Sequence, residues 1–266
     1  MQGFIDTHAH LYGSVYTDDL EAVVLRAKAA GCVAVFLPPT DLESIEECRS
    51  VAERFSGFAF PMIGLHPEDL PDDLEPSLRY IEDQLTGEHP FIAIGEVGLD
   101  YYWDSSRAEL QKEAFRRQIE TAVSHKLPLM IHSRKAQADL LQILREFRGT
   151  ELSGVFHCFG GSVGKARELL AFSGFCLGIG GTLTFKKSIL PQVLAEGVPL
   201  SRIVLETDSP YMAPVPVRGS RNEPANLRHV IARLAEVYGV TEEAIAEQTT
   251  LNALRIFPRA VVRMGT

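Results

Sequence analysis

Eight short apolar runs alternate with amphipathic segments along the chain, and this alternation restricts the fold more than any other feature. The runs cover residues 3–8, 32–38, 58–66, 91–96, 127–132, 154–157, 175–179 and 203–208. Apolar residues at helical spacing lie between or after them, at 20–30, 77–85, 107–125, 136–147, 163–172, 226–238 and 241–257. Parallel strands buried on both faces have this pattern. We predict an α/β fold, a (β/α)8 TIM barrel, with a doubly wound open sheet as the alternative.

The chain has 266 residues and shows no linker or change of composition, so we expect one barrel domain over residues 1–266. The glycines at 178, 180 and 181 come late and lack the Gly-x-Gly-x-x-Gly fingerprint, which argues against a dinucleotide site. No apolar stretch is long enough to span a membrane, and no secretory leader is recognisable. The four cysteines are widely scattered and contain no Cys-x-x-Cys. This pattern is typical of reduced thiols and not of a disulfide framework or a zinc knuckle. We therefore expect a cytoplasmic protein with no obligate protein partner.

The first apolar run ends in two imidazoles, His8 and His10. Alternate side chains of a strand point to the same face, so these two rings are expected to point together. Neutral imidazole is a common metal ligand. The pair therefore suggests half of a metal site.

Polar residues stand at the ends of six of the eight runs. They are His8 and His10, His66, Glu96, His132, His157 and Asp208. In a TIM barrel the carboxyl ends of the strands form one rim, where active sites lie. Residues more than a hundred positions apart would therefore meet at this rim, which favours a shared site over separate structural roles.

Even with His66 set aside, the other four imidazoles and the two carboxylates are more ligands than one tetrahedral zinc requires. They suit two divalent ions bridged by a carboxylate, and Zn, Mn and Mg all remain candidates. The formal net charge of −9 disfavours broad non-specific binding of duplex nucleic acid. It does not exclude a polyanionic substrate, because bound cations can reverse the charge locally.

Eight longer stretches of the chain form recognisable motifs. They are Phe4-Ile5-Asp6-Thr7-His8-Ala9-His10-Leu11, Gly64-Leu65-His66-Pro67, Ile94-Gly95-Glu96-Val97-Gly98-Leu99-Asp100-Tyr101-Tyr102, Ile131-His132-Ser133-Arg134, Phe156-His157-Cys158-Phe159, Gly178-Ile179-Gly180-Gly181, Leu205-Glu206-Thr207-Asp208-Ser209-Pro210-Tyr211 and Arg218-Gly219-Ser220-Arg221-Asn222-Glu223-Pro224. Together, from residue 4 to about residue 257, the chain resembles the TatD-type metal-dependent deoxyribonucleases, a family within the amidohydrolase-like barrels. The resemblance implies metal-dependent cleavage of DNA phosphodiesters, often exonucleolytic on single strands or damaged ends.

The resemblance also implies a ligand set. One metal would be held by His8, His10, Glu96 and Asp208. Glu96 would bridge to a second metal, which His132 and His157 would complete. The predicted cofactor is thus a pair of divalent ions.

Further residues are candidates for catalysis and substrate binding. Asp208 is the candidate proton acceptor for an attacking water. Glu206 either orients a metal-bound imidazole or forms a buried salt bridge. The candidates for contacts with the phosphate are His66, Arg134, Arg218 and Arg221. The aromatic side chains at 101–103 either stack on unpaired bases or anchor their loop.

The chain departs from the family pattern at Lys135, where an acidic residue is frequent, and at Val217, where a histidine is frequent. Neither position is a predicted ligand. Two other functions remain open: a small-molecule amidohydrolase, lactonase or phosphoesterase on the same barrel, and a binding module without catalysis. Glu96 stands where many amidohydrolases carry a carbamylated lysine, which favours the deoxyribonuclease.

Overall fold

The computed structural model describes residues 3–260, which contain eight parallel strands arranged in a barrel. The strands are β1 (Phe4–Asp6), β2 (Cys32–Leu37), β3 (Ala59–Pro61), β4 (Ile94–Asp100), β5 (Leu129–Arg134), β6 (Gly154–Phe156), β7 (Phe175–Ile179) and β8 (Ile203–Leu205). β1 to β3 are hydrogen-bonded neighbours, as are β4 to β8. Parallel bridges between Ile63 and Ile94 and between Ala9 and Ser209 join the two groups. The predicted (β/α)8 barrel is confirmed, and the open sheet is wrong.

Nine α-helices lie within residues 3–260. They are α1 (Leu20–Ala29), α2 (Leu42–Arg54), α3 (Glu75–Gln84), α4 (Ala108–His125), α5 (Gln137–Glu146), α6 (Val163–Leu170), α7 (Leu190–Gly197), α8 (Leu227–Tyr238) and α9 (Glu242–Ile256). Seven match the predicted segments within a few residues. None of these described helices is both long enough and apolar enough to cross a bilayer.

The pattern did not predict α2 and α7. Helix α2 buries only three apolar residues, Ile45, Cys48 and Val51, and its capping box pairs Asp41 with a serine instead of the usual Glu or Gln. Helix α7 has only eight residues. Both helices are nevertheless amphipathic, so the helical spacing of their buried residues was an available signal.

Strand β4 lies further along the chain than the predicted run of residues 91–96, because it begins at Ile94 and continues four residues beyond Glu96 to Asp100. Its pairing with β5 shifts register between Ile94 and Val97, and Gly98 adopts a φ of +145°. A Cβ at residue 98 would lie 2.0 Å from the carbonyl oxygen of His132 on β5. Glycine at this position therefore permits the close approach of β4 and β5 at the rim.

Small and large apolar side chains from successive strands fill the barrel interior, including Ala34, Phe36, Phe60 and Met130. At the amino ends of the strands, Phe257 packs its ring 5.0 Å from that of Phe36. A second, larger apolar cluster lies between the strands and the surrounding helices. The amino end is thus filled with apolar side chains, and the polar residues collect at the carboxyl end.

The predicted single domain of residues 1–266 includes residues 1–2 and 261–266. These lie outside the described residues, so the extent of the domain stays a prediction.

Candidate metal centre

His8 and His10 point together, as the alternation along a strand predicts. Ala9 between them forms a parallel bridge with Ser209. The amide of His10 also donates to the Ser209 carbonyl at 2.8 Å, and the Asp208 amide donates to the carbonyl of His8 at 2.9 Å. These bonds tie the segment after β1 to the segment after β8. The two Nε2 atoms lie 3.1 Å apart.

Carboxylate oxygens of Glu96 and Asp208 complete a cluster of four ligand atoms. Glu96 Oε2 lies 3.2 Å from His8 Nε2 and 3.7 Å from His10 Nε2. Asp208 Oδ1 lies 3.7 Å and 3.5 Å from the same two nitrogens. Tetrahedral ligands bound at about 2.0–2.2 Å would be separated by about 3.3–3.6 Å. His8, His10 and Asp208 place ligand atoms within 4.8 Å of one another, and Glu96 does so with His8 and His157. These separations suit a divalent ion at the two imidazoles, with a carboxylate on either side.

The other oxygen of Glu96 faces three further imidazoles, one of which, His157, stacks on His8 with the ring centroids 3.8 Å apart. Glu96 Oε1 lies 2.9 Å from His132 Nδ1, 3.5 Å from His157 Nε2 and 3.6 Å from His66 Nε2. One carboxylate therefore stands between two sets of nitrogen ligands. This is the geometry of a carboxylate that can bridge two ions.

The centre is buried and its charges are mutually stabilised. Burial by itself would raise the pKa of Glu96, but the imidazoles of His8, His157 and His66, with the hydrogen bond from His132, hold it well below its usual range. Burial would also raise the pKa of Asp208, and the neighbouring histidines outweigh it in the same way. Both carboxylates are therefore ionised at neutral pH, which is the state that binds cations.

Asp100 fixes the ring of His132 from the side opposite Glu96. Asp100 Oδ2 lies 2.9 Å from His132 Nε2. Gln111 of α4 holds the end of β4 through a pair of hydrogen bonds, from the Asp100 amide to Gln111 Oε1 and from Gln111 Nε2 to the Asp100 carbonyl. The sequence motifs alone did not single out Asp100. Its position four residues after Glu96 on the same strand places both side chains on one face and was the available signal.

Glu206 interacts with His157 in the corresponding way. Its Oε1 lies 3.2 Å from His157 Nδ1 and accepts a hydrogen bond from the Cys158 amide. The carboxylate is 1% exposed. Burial lowers the pKa of His157, but the carboxylates of Glu206 and Glu96 outweigh this effect and raise it to about 10.

The late glycine motif makes room for Glu206. A Cβ on Gly178 would lie 2.0 Å from Glu206 Oε2, and one on Gly180 would lie 2.8 Å from the Glu206 carbonyl oxygen. Strand β7 therefore needs glycine where it passes the carboxylate. The motif thus has a structural role beside the metal centre.

Two further groupings lie against the centre. His66, Glu68 and His132 place ligand atoms within 4.8 Å of one another, as do His157, Cys158 and Asp208. Sequence motifs did not single out Glu68 either. Burial raises the pKa of the Cys158 thiol well above its usual value, so this thiol is protonated at neutral pH.

The predicted phosphate-binding residues are distributed unequally. His66 and Arg134 line the cavity of about 640 Å³ that opens over the metal centre. Arg218 lines a neighbouring cavity, beside Phe185. Arg221 instead forms an ion pair with Asp19, at 2.6 Å. His66 and Arg134 therefore lie at the centre, and Arg218 lies in the cavity next to it. The guanidinium of Arg221 is already bound by Asp19.

Comparison with known proteins assigns the chain to a family. Residues 5–258 match the family described as TatD related DNase. The chain belongs to this family. TatD relatives include the uncharacterized metal-dependent hydrolase YabD of Bacillus subtilis, 40% identical over 95% of this chain and 98% of that protein. The putative deoxyribonuclease TATDN3 of Mus musculus is 34% identical over 97% of this chain and 89% of that protein.

Two solved structures show the same barrel fold. YJJV, a TatD homologue from Escherichia coli, superposes with a TM-score of 0.88 at 31% identity, covering 96% of this chain and 98% of that chain. The phosphotriesterase homology protein of Escherichia coli, at 13% identity and a TM-score of 0.70 over 96% and 99% of the two chains, shares the fold. The protein is therefore an enzyme of the TatD family of metal-dependent hydrolases.

Proposed function

We propose that this protein hydrolyses DNA phosphodiester bonds with two divalent ions. One ion would be held by His8, His10, Glu96 and Asp208, and the other by Glu96, His132 and His157. A single observation carries the proposal: each of the two oxygens of Glu96 faces its own set of imidazoles, at 3.2–3.7 Å and at 2.9–3.6 Å. Bound divalent ions act as Lewis acids toward water and toward phosphate oxygens.

Asp208 is the group best placed to accept the proton of an attacking water. Its carboxylate belongs to the first ligand group and also lines the central cavity. Its pKa is held below the usual value despite burial, so it is ionised and able to take a proton. Transfer of that proton would accompany attack of the water oxygen on phosphorus and departure of the sugar oxygen.

His66 and Arg134 are proposed to hold the phosphate. Burial lowers the pKa of His66 to about 4, so its ring is neutral and can donate one hydrogen bond. Arg134 is exposed at the cavity wall and supplies a guanidinium for charge-assisted bonds. Arg221 is a weaker candidate than the sequence suggested, because Asp19 already binds its guanidinium.

Aromatic side chains beside the cavity support an unpaired strand as substrate. Trp103 is 67% exposed and Tyr211 is 62% exposed, and both line the cavity over the centre. Arg134 already covers one face of Tyr102, with its guanidinium carbon 3.7 Å from the ring centroid. Exposed rings at a phosphate-binding site can stack on bases. We therefore propose single-stranded DNA or frayed ends as the substrate and exonucleolytic cleavage as the mode.

Two similar proteins are in line with this proposal. The Mus musculus relative is named a putative deoxyribonuclease. The phosphotriesterase homology protein of Escherichia coli was crystallised as a complex with phosphate in its active site. Both observations concern those proteins, and they make a phosphate ester the first substrate to test.

The decisive experiment follows end-labelled single-stranded DNA incubated with metal-stripped protein, to which Mg²⁺, Mn²⁺ or Zn²⁺ is restored. We expect stepwise shortening that requires metal and is abolished by Glu96→Ala. Glu53→Ala, an exposed carboxylate on α2, is the matched control and should retain activity. Intact DNA with every metal, together with turnover of amides, lactones or phosphotriesters, would assign the centre to a small-molecule hydrolase.

A further inference from the structure

Six cations line one side of the metal centre although the chain as a whole is acidic, with a formal net charge of −9. They are Arg134, Lys135, Lys165, Lys186, Lys187 and Arg218, and all six are exposed. We call the surface formed by these six residues the basic groove. Arg134, Lys135 and Lys165 line a cavity of about 540 Å³, and the other three line one of about 800 Å³.

The basic groove is continuous with the metal centre. Its two cavities share Cys158 and Gly160, which follow β6. The first of them also shares His157 and Arg134 with the cavity over the centre. A chain that leaves the centre past β5 and β6 therefore enters the groove without crossing another surface.

The cations of the basic groove are not neutralised by carboxylates. Between residues 3 and 260, no carboxylate oxygen lies within 4.0 Å of any of the six charged groups. Arg134 and Lys135 lie over the ring of Tyr102, and Arg218 lies over Phe185. Glu168, which lines the first cavity, accepts a hydrogen bond from Gln137. With six cations and this one carboxylate among the residues that line its two cavities, the groove carries a net positive charge.

The opposite side of the centre carries negative charge. A cavity of about 310 Å³ next to His10 is lined by Asp41, Glu43 and Glu47. Burial and the two neighbouring carboxylates raise the pKa of Glu47. This side would repel a phosphate backbone, because like charges face one another across a partly desolvated surface.

We infer that the basic groove binds the phosphates of a single DNA strand whose end lies at the metal centre, so that the strand extends past β6 and β7 and not past β1 and β2. This inference rests on the proposed function and adds a direction to it. The acidic cavity on the far side limits the strand to one direction. A site open to a strand on one side only favours cleavage from an end.

The test measures binding, so it does not depend on turnover. Fluorescein-labelled oligothymidylates of 2, 4, 8 and 12 nucleotides are titrated with the full chain in EDTA, over a range of salt concentrations, and followed by anisotropy. The groove variant is Lys186→Gln with Lys187→Gln. The control variant is Lys28→Gln with Lys126→Gln, which removes the same charge from exposed lysines near the ends of α1 and α4, at the opposite end of the barrel.

We expect the groove variant to bind the 12-mer about tenfold more weakly than the unmodified protein at low salt. For this variant, the slope of log affinity against log salt concentration should be less negative by about 1.4, since each of the two lost phosphate contacts accounts for about 0.7 on a single strand. Binding of the dinucleotide should change less than twofold. A 12-mer with an uncharged methylphosphonate backbone should bind all three proteins equally weakly.

Equal weakening in the groove and control variants, or equal weakening at all four lengths, would overturn the inference. The proposed function fails on a different result, the absence of metal-dependent cleavage of end-labelled DNA. If the protein binds the 12-mer through the groove but cleaves no DNA, the groove inference is supported and the proposed nuclease function is contradicted. If the protein cleaves DNA but the groove variant binds the 12-mer no more weakly than the control variant, the nuclease function is supported and the groove inference is contradicted.

Discussion

Asp100 Oδ2 lies 2.9 Å from His132 Nε2, so the two side chains form a carboxylate–imidazole pair at the rim of the barrel. The other ring nitrogen of His132 faces Glu96 at 2.9 Å. A carboxylate behind a ligating imidazole fixes its tautomer and orientation, and its loss commonly lowers metal affinity by roughly 10- to 100-fold. The pair thus links the end of β4 to the proposed second ion.

Asp100→Asn should weaken binding of the second ion by about 10- to 100-fold while the protein stays folded. The amide cannot supply the negative charge that stabilises the His132 ring. Isothermal titration of metal-stripped protein with Zn²⁺ would measure the change, with circular dichroism to verify folding. Asp83→Asn, an exposed position on α3, is the control. Equal affinities in the two variants would show that Asp100 does not support the centre.

Gly178→Ala should disturb the carboxylate of Glu206, because the added Cβ would lie 2.0 Å from its Oε2. We expect a loss of about 1–3 kcal/mol in the free energy of unfolding, as for other overpacked sites, together with weaker metal binding. Gly164→Ala on α6 is the matched control, since its Cβ would lie 3.8 Å from the nearest atom. That variant should be neutral or up to about 1 kcal/mol more stable. Denaturant unfolding of both variants tests the contrast.

Metal uptake should release protons and strengthen as the pH rises. Burial lowers the pKa of His132, but hydrogen bonds with Asp100 and Glu96 outweigh it and raise the pKa to about 9; His157 is raised to about 10. Without metal both rings are protonated at pH 7, whereas metal ligands must be neutral. Titration with Zn²⁺ in two buffers of different ionisation enthalpy would count the protons. A zero count at pH 7 would contradict these assignments.

The same two raised pKa values predict how the metal-free protein responds to pH. The carboxylates that raise the pKa of each histidine stabilise the folded protein while the ring is protonated. This stabilisation is fully present below the ordinary histidine pKa of 6.5 and is lost as the pH rises through the raised pKa of the folded protein. The free energy of unfolding of metal-free protein should therefore fall between pH 7 and about pH 10. Urea titrations at several pH values measure this slope, and a flat profile would argue against charged imidazoles in the empty centre.

Phe257→Ala should destabilise the protein by about 3–5 kcal/mol. The ring is fully buried and packs 5.0 Å from Phe36 at the amino end of the barrel. Leu251→Ala on α9 is the control, because that side chain is 55% exposed and should change stability by less than about 0.5 kcal/mol. Thermal unfolding followed by circular dichroism would compare them. Metal affinity should be preserved in both variants, because the ligands lie at the opposite end.

Much of the candidate site could be predicted because its signals are local. The spacing of His8 and His10 places both rings on one face of an extended segment, and each remaining candidate ligand lies at or just beyond a recognisable apolar run. The eight runs and seven of the helices were evident from periodicity. The barrel follows from these elements, since buried parallel strands require helical crossovers on their outer side.

The tertiary structure decided what depends on distant contacts. The sequence did not reveal that β4 continues to Asp100, that Gly178 accommodates Glu206, or that Asp19 engages Arg221. It did not show that one side of the rim is basic and the other acidic, since the charges come from loops far apart along the chain. Periodicity reports which face of an element is buried. Which side chains then meet across the rim depends on strand register and loop path, which only the closed barrel determines.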